Sequence, residues 1–231
     1  MSQPEPVPPL VTLHLWRVAR TRIPQAIARM AVDRGRARRT PGVRFAKMLG
    51  TGDGRTFTVR DADPTRWAML TTWSTTAADS PVARSWSRIA EESFRVDLRP
   101  LVSRGRWSGR EPFGNPEPRR TTGPVAAVTR ARLSARKAPS FWSAVPPVSD
   151  VLQRSPGLLA AVGIGEAPVG LQGTFSLWSS GDALRDFAHR EAAHTDVIAR
   201  TQTEGWYAEE LFARFEVLGS DGTLDGRDPL A

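Results

Sequence analysis

The sequence predicts an α+β chain made of two copies of one β-α-β-β-α-β unit. Three observations carry this. The motif "RTPG" at 39–42 is answered by "RSPG" at 154–157, each followed by an apolar run that ends in a glycine turn. A strand-like stretch with Trp-Ser near its end occurs in each half, "TRWAMLTTWST" (65–75) and "LQGTFSLWSS" (171–180). Around these fixed points the other segments fall in the same order in both halves.

Residues 1–8, rich in proline, are expected to be a disordered N-terminus. The halves, 9–101 and 124–231, open with the strands "LVTLHLWRV" (10–18) and "PVAAVTRARL" (124–133). Helix-compatible segments follow at about 21–37 and 137–153. After the Arg-Ser/Thr-Pro-Gly strands and the Trp-Ser strands comes a second helix in each half. Ser80-Pro81 supplies an N-cap and a first-turn proline for one, and Ser180 caps the other. The halves close on "FRVDLRPL" (94–101) and "ELFARFEVLG" (210–219). This is the ferredoxin-like plan twice, and two such units pack sheet on sheet. Between them, 102–123 reads as a linker rich in Gly, Pro and Arg, yet it holds Trp107 and Phe113.

The 231 residues contain no cysteine, which removes disulfides, zinc–thiolate sites, iron–sulfur clusters and a cysteine nucleophile. No signal peptide and no apolar run of membrane-span length is visible, so a soluble cytoplasmic protein is expected. The net charge is +8, but only Lys47 and Lys137 are lysines. The densest basic run, "RGRARR" (34–39), reads first as a solvated helix end and second as a contact for an anionic membrane surface. Nucleic acid is not an expected partner, because no stacking signature on central strands accompanies the charge.

Two of the three histidines lie in "DALRDFAHREAAHTDVIARTQTEGW" (182–206). On a helix starting at Asp182, Leu184, Phe187, Glu191, His194 and Ile198 form one stripe, with His189 about 140° away from His194. Their spacing of five rules out a paired metal site on one face. His194 reads either as a core histidine bonded to backbone groups or as an axial haem ligand beside Phe187 and Ile198. Glu191, one turn away, reads either as a residue that orients the ring or as one at the edge of the face. His14 lies on the first strand opposite the leucine face.

Serine-triad and phosphate-loop readings lack their contexts: no Gly-x-Ser-x-Gly is present, and a strand follows "GTGDG" (50–54). Trp73 and Trp178 occupy equivalent places and read as structural. Trp107, among Arg104, Arg106 and Arg110, reads either as a stacking and anion-binding surface or as a pin between linker and core.

The blocks "RGRWSGREPF" (104–113), "GVRFAKMLGTG" (42–52) and "EGWYAEELFARFEVLGSDGTLDGRDPL" (204–230) resemble the spheroidene monooxygenase family, the acyclic carotenoid ketolases. The resemblance runs from about Val11 to Leu230. It implies haem b as cofactor and a dimeric α/β-barrel, the group that also holds chlorite dismutase-like enzymes and aldoxime dehydratases. His194 stands where the family's helix has its histidine ahead of "EGW", and His189 does not match. Arg106, Trp107 and Arg110 match the linker motif, and Lys47 matches a family lysine.

The resulting expectation is a haem-dependent monooxygenase with His194 on the iron. Arg106, Arg110 or Lys47 would act on bound oxygen or substrate, and Trp107 and Phe113 would wall a pocket facing the inter-sheet space. The substrate would be a small apolar or amphipathic molecule. A haem-dependent dehydratase or N–O/N–N enzyme, and a non-enzymatic haem carrier, stand as alternatives. Whether the halves pair within one chain or a homodimer forms stays open.

Overall fold

A computed structural model describes residues 5–52, 61–133, 152–166, 173–190 and 207–231. Its strands are β1 (Leu10–Arg17), β2 (Val43–Gly52), β3 (Ala62–Trp73), β4 (Glu92–Gly105), β5 (Val125–Leu133), β6 (Leu158–Gly165), β7 (Gly173–Trp178) and β8 (Tyr207–Gly222). The described helices are α1 (Ile23–Arg38), α2 (Pro81–Ser87) and α3 (Gly181–Arg190). The strands close into an antiparallel barrel in the order β1-β3-β2-β6-β7-β5-β8-β4. Four strands of one half, β4-β1-β3-β2, and four of the other, β8-β5-β7-β6, therefore meet along both edges.

The local signals explain most elements. Ser80 Oγ accepts the amide of Ala83, and Ser180 Oγ accepts that of Ala183, so both helices start on the serines the sequence marks. The shared Pro-Gly turns place Gly42 and Gly157 at φ of 78° and 80°, a conformation that favours glycine. Trp73 and Trp178 are fully buried and donate to Thr12 and Ser176.

Pairing registers repeat between the halves. Leu10 faces Trp73 as Val125 faces Trp178. Along the β4–β8 seam, Phe94 faces Gly222 at one end and Leu211 faces Gly105 at the other. These registers define matching positions in the two halves.

Strand alternation sends Val11, Leu13, Leu15, Phe45, Leu70, Val96, Val128, Phe175 and Phe215 into the barrel, where they form one apolar cluster. The expected inter-sheet space is therefore filled. On the outer face of the first half, Trp16, Met48, Trp67 and Met69 pack against Ala26, Met30 and Ala37 of α1 and Trp86 of α2. On the second half, Val125, Ala127 and Trp178 pack with Leu184 and Phe187 of α3.

Some boundaries differ from expectation. Residues 102–105, assigned to the linker, continue β4, because β8 is long enough to pair with them. Residues 5–8 are held where disorder is predicted: Glu5 takes the Arg110 guanidinium, and the Pro6 carbonyl accepts from Arg44. Most of the expected helix at 137–153, and the part of the helix starting at Asp182 that lies beyond Arg190, fall outside the described residues. Among the described residues, no helix is long and apolar enough to cross a membrane.

Candidate functional site

Two regions depart from what packing alone requires. The first is the barrel end closed by the linker motif. Trp107 and Arg110 pair across a tight turn in which Ser108 and Gly109 have φ of 55° and 73°. Trp107 is 1 % exposed and its indole N–H donates to Glu166 Oε1 at 2.5 Å. Glu166 Oε2 takes Lys47 Nζ at 2.5 Å, and Arg130 bridges Glu166 at 2.9 Å and Glu209 at 2.6 Å. Glu209 also accepts the amides of Ser108 and Gly109, at 2.9 and 2.6 Å. Lys47 and Arg130 flank the Trp107 ring at 5.9 and 5.4 Å.

Lys47 and Arg130, 6 % and 4 % exposed, are thus buried cations with matched carboxylates. Burial pushes the Glu166 carboxyl up, but hydrogen bonds from Lys47 and Trp107 and the charges of Lys47 and Arg130 outweigh it, holding it below the usual carboxylate range. For Glu209, burial is likewise outweighed by the Gly109 and Ser108 amides and by Arg130. Burial lowers the Lys47 ammonium below its ordinary value, and Glu166 offsets only part of that.

The other barrel end carries the same turn with a different, more exposed set of charges: Arg17 meets Asp63, Glu92 and Asp225, and Arg66 also meets Asp225. "LDGRDPL" (224–230) repeats "WSGREPF" (107–113), and Asp225 and Gly226 adopt φ of 56° and 77°. Glu92 matches Glu209 and accepts the Gly226 amide at 2.6 Å. The positions matching Lys47, Glu166 and Arg130, however, are Val162, Thr51 and Leu15. Among the described residues, the buried cations Lys47 and Arg130 with Glu166 belong to the first end alone.

The expected site residues divide accordingly. Lys47, Trp107 and Arg110 come together around Phe45, with Arg110 Cζ 5.8 Å from that ring. Arg110 also donates to the Arg44 carbonyl at 2.9 Å. Phe113 is fully buried, edge-on to Phe215 at 4.9 Å. Arg106 points outward, its side chain 63 % exposed beside Glu111. Trp107 and Phe113 thus belong to the packed barrel interior and wall no open pocket there, because apolar side chains already fill the lumen. Phe187 lies across the sheet from them, against Trp178 at 5.1 Å. His194, Ile198 and Glu191 lie outside the described residues. Glu166, Arg130 and Glu209 were not singled out from the sequence; the repeat of "WSGREPF" in "LDGRDPL" was the available signal.

The second region is the outer face where Phe187 sits. Matching rows across the two sheets differ sharply in bulk. In the first half, Met69 and His14 lie side by side, with Trp16 on the next outward row. In the second half, these places hold Thr174, Thr129 and Ala131. Met69 and His14 are buried, whereas Thr129, on an inner strand, is exposed. Next to Ala127 stands Arg214, half-buried, its Nε without a hydrogen-bond partner. Burial and the nearby Arg185 lower its ordinary basicity. A shelf of small side chains, an aromatic wall and one under-satisfied guanidinium fit a flat apolar group bearing carboxylates, such as haem. Among the described residues no group of three or more metal-ligating side chains occurs, and a haem iron asks for only one imidazole.

No family model matches the chain. A spheroidene monooxygenase of Rhodobacter capsulatus is 36 % identical over 235 residues, covering 96 % of both chains. One of Rubrivivax gelatinosus is 38 % identical, over 81 % of this chain and 73 % of that protein. Among solved structures, an aldoxime dehydratase in complex with butyraldoxime has a TM-score of 0.56 at 11 % identity, over 90 % of this chain and 79 % of that one, a likeness of fold. The near end-to-end identity to the first of these relatives decides the matter: the chain is an oxidoreductase and belongs to the spheroidene monooxygenase family.

Proposed function

We propose that this protein is a haem-dependent monooxygenase of a small apolar or amphipathic substrate, with haem b on the outer face of the second sheet and His194 as its iron ligand. The observation that carries this reading is the exchange of Met69, His14 and Trp16 for Thr174, Thr129 and Ala131 at matching positions. Small side chains in place of three large ones, in a layer that is elsewhere closely packed, support a ligand's place on this face. The same registers support reading the halves as tandem ferredoxin-like repeats closed, within one chain, into a dimeric α/β-barrel.

When bound, the haem supplies an iron that activates oxygen or peroxide. The chain's residues do the rest. A neutral imidazole at His194, seven residues after Phe187, would share its stripe on a helix continued at the same pitch and would hold the iron. Phe187, braced by Trp178, and Ile198 would wall the group, and Arg214 would pair with its carboxylates. Lys47, Arg110, Trp107 and Phe113 act from the barrel end, where the charged cluster fixes the strands that carry the shelf. Arg106, exposed beside Glu111, would meet substrate from outside.

The test is a hemin titration followed by the Soret band and by tryptophan quenching. Wild type and His189→Ala should shift the band alike. His194→Ala should alter or abolish the shift, and Thr129→Trp should block it by refilling the shelf. If all four behave as free hemin does, the reading fails. A dehydratase reading is favoured by the aldoxime dehydratase likeness; turnover without oxygen would select it.

A further inference from the structure

We propose that the outer face of α1 is a docking surface for an anionic phospholipid bilayer. Residues 20–39 hold seven arginines and one acid, which accounts for +6 of the chain's +8. The one acid, Asp33, is turned inward: it is buried, and it accepts the Trp86 indole N–H at 3.0 Å. Arg29 also turns inward, to the carbonyl and hydroxyl of Ser85. The exposed face of α1 therefore carries cations and no exposed carboxylate.

That face is also apolar along its middle. Ala26, Met30, Asp33 and Ala37 are the buried residues of α1. At about 100° per residue, Ile27, Ala28, Ala31 and Val32 fall away from them. Ile27 and Val32 are 50 % and 53 % exposed, and they are two of the four large exposed apolar side chains among the described residues. Arg22 precedes this strip and Arg34, Arg36, Arg38 and Arg39 follow it. Apolar residues flanked by arginines on a helix lying flat on the protein suit the boundary between lipid headgroups and acyl chains. Arg36 pairs with Asp33 at 3.3 Å and Arg34 donates to the Glu166 carbonyl, and anionic headgroups would supply countercharge to Arg22, Arg38 and Arg39. A nucleic acid would satisfy the arginines but leave Ile27 and Val32 in water, so the lipid surface is the better fit. The inference does not rest on the haem reading.

The experiment is co-sedimentation of the full chain with vesicles of mixed phosphatidylglycerol and phosphatidylcholine, or of phosphatidylcholine alone. Three proteins are compared: wild type, a triple variant Arg22→Gln/Arg38→Gln/Arg39→Gln, and a double variant Ile27→Ser/Val32→Ser. These side chains are exposed, so far-UV circular dichroism and thermal melting should be unchanged. Wild type should bind the anionic vesicles, and more weakly as salt rises from about 0.05 to 0.5 M. At about fivefold per arginine, the triple variant should bind about 100-fold more weakly. The double variant should also bind more weakly at equal charge. Absence of wild-type binding to anionic vesicles overturns the proposal, as does equal binding by the triple variant. A gel shift with an RNA duplex that exceeds vesicle binding, and is unmoved by the double variant, reassigns the face to nucleic acid.

Discussion

Replacing Glu166 by Gln tests whether the barrel end is held by its charges. The substitution keeps the shape and removes one charge. It leaves Lys47, 6 % exposed, with no carboxylate, and Arg130 with Glu209 alone. Removing one partner of a buried ion pair costs about 3–5 kcal/mol. Glu166 is itself 28 % exposed and Arg130 keeps a partner, so the expected loss is about 2–3 kcal/mol after screening is allowed for. Urea unfolding of the two proteins measures it. The matching position at the other end provides the control: Thr51→Val removes one hydrogen bond, to the Arg66 carbonyl, and should cost about 1 kcal/mol. Adding Lys47→Met to Glu166→Gln should recover part of the loss, because the stranded ammonium disappears. A loss from Glu166→Gln no larger than that of the Thr51 control would refute the reasoning. The sign with pH follows from the lowered carboxyl. The unfolded chain protonates such groups near about 4.3 and the folded chain lower, so the contribution is complete above that value and is lost as pH falls through the folded pKa. Glu166→Gln should flatten this acid limb.

Burial, with Arg95 alongside, pushes the His14 imidazole down to about 3, so stability should decline as pH drops from about 6.5 toward that value, and an NMR titration should show His14 neutral at pH 5. A Cβ at Gly105, at φ of 88°, would sit 2.2 Å from the Glu210 carbonyl oxygen, whereas at Gly109, at φ of 73°, it would meet nothing within 4 Å. Gly109→Ala should therefore cost about 1 kcal/mol, and Gly105→Ala several-fold more, both read from urea midpoints.

Much of this architecture is legible because the turn chemistry is written twice. Ser80 and Ser180, Gly42 and Gly157, and Trp73 and Trp178 each solve a local problem with residues that few others can replace. Strand length is less legible. The extension of β4 through Gly105 depends on a partner, β8, more than a hundred residues away, and alternation alone cannot show where pairing stops. Lys47 and the linker motif stand out by residue type. Arg130, Glu166 and Glu209 do not, since each is one charged residue near the end of a strand. What makes them a cluster is closure of the barrel, which brings four strands and the Trp107 turn to one point. The contrast between Trp16 and Ala131 is likewise silent until the registers align them.

The two halves close each other's edges. Each alone would be a four-stranded sheet with β2 and β4, or β6 and β8, left unpaired, and a greasy inner face open to water. An assembly of identical subunits would solve that problem too, but every change to one copy would then appear in both. A single polypeptide whose halves differ in sequence is free of that constraint. One half can keep its tryptophans and methionines beneath α1 and α2 and serve as ballast. The other can give up bulk on its outer face and lose stability there, while the shared barrel keeps the whole chain folded.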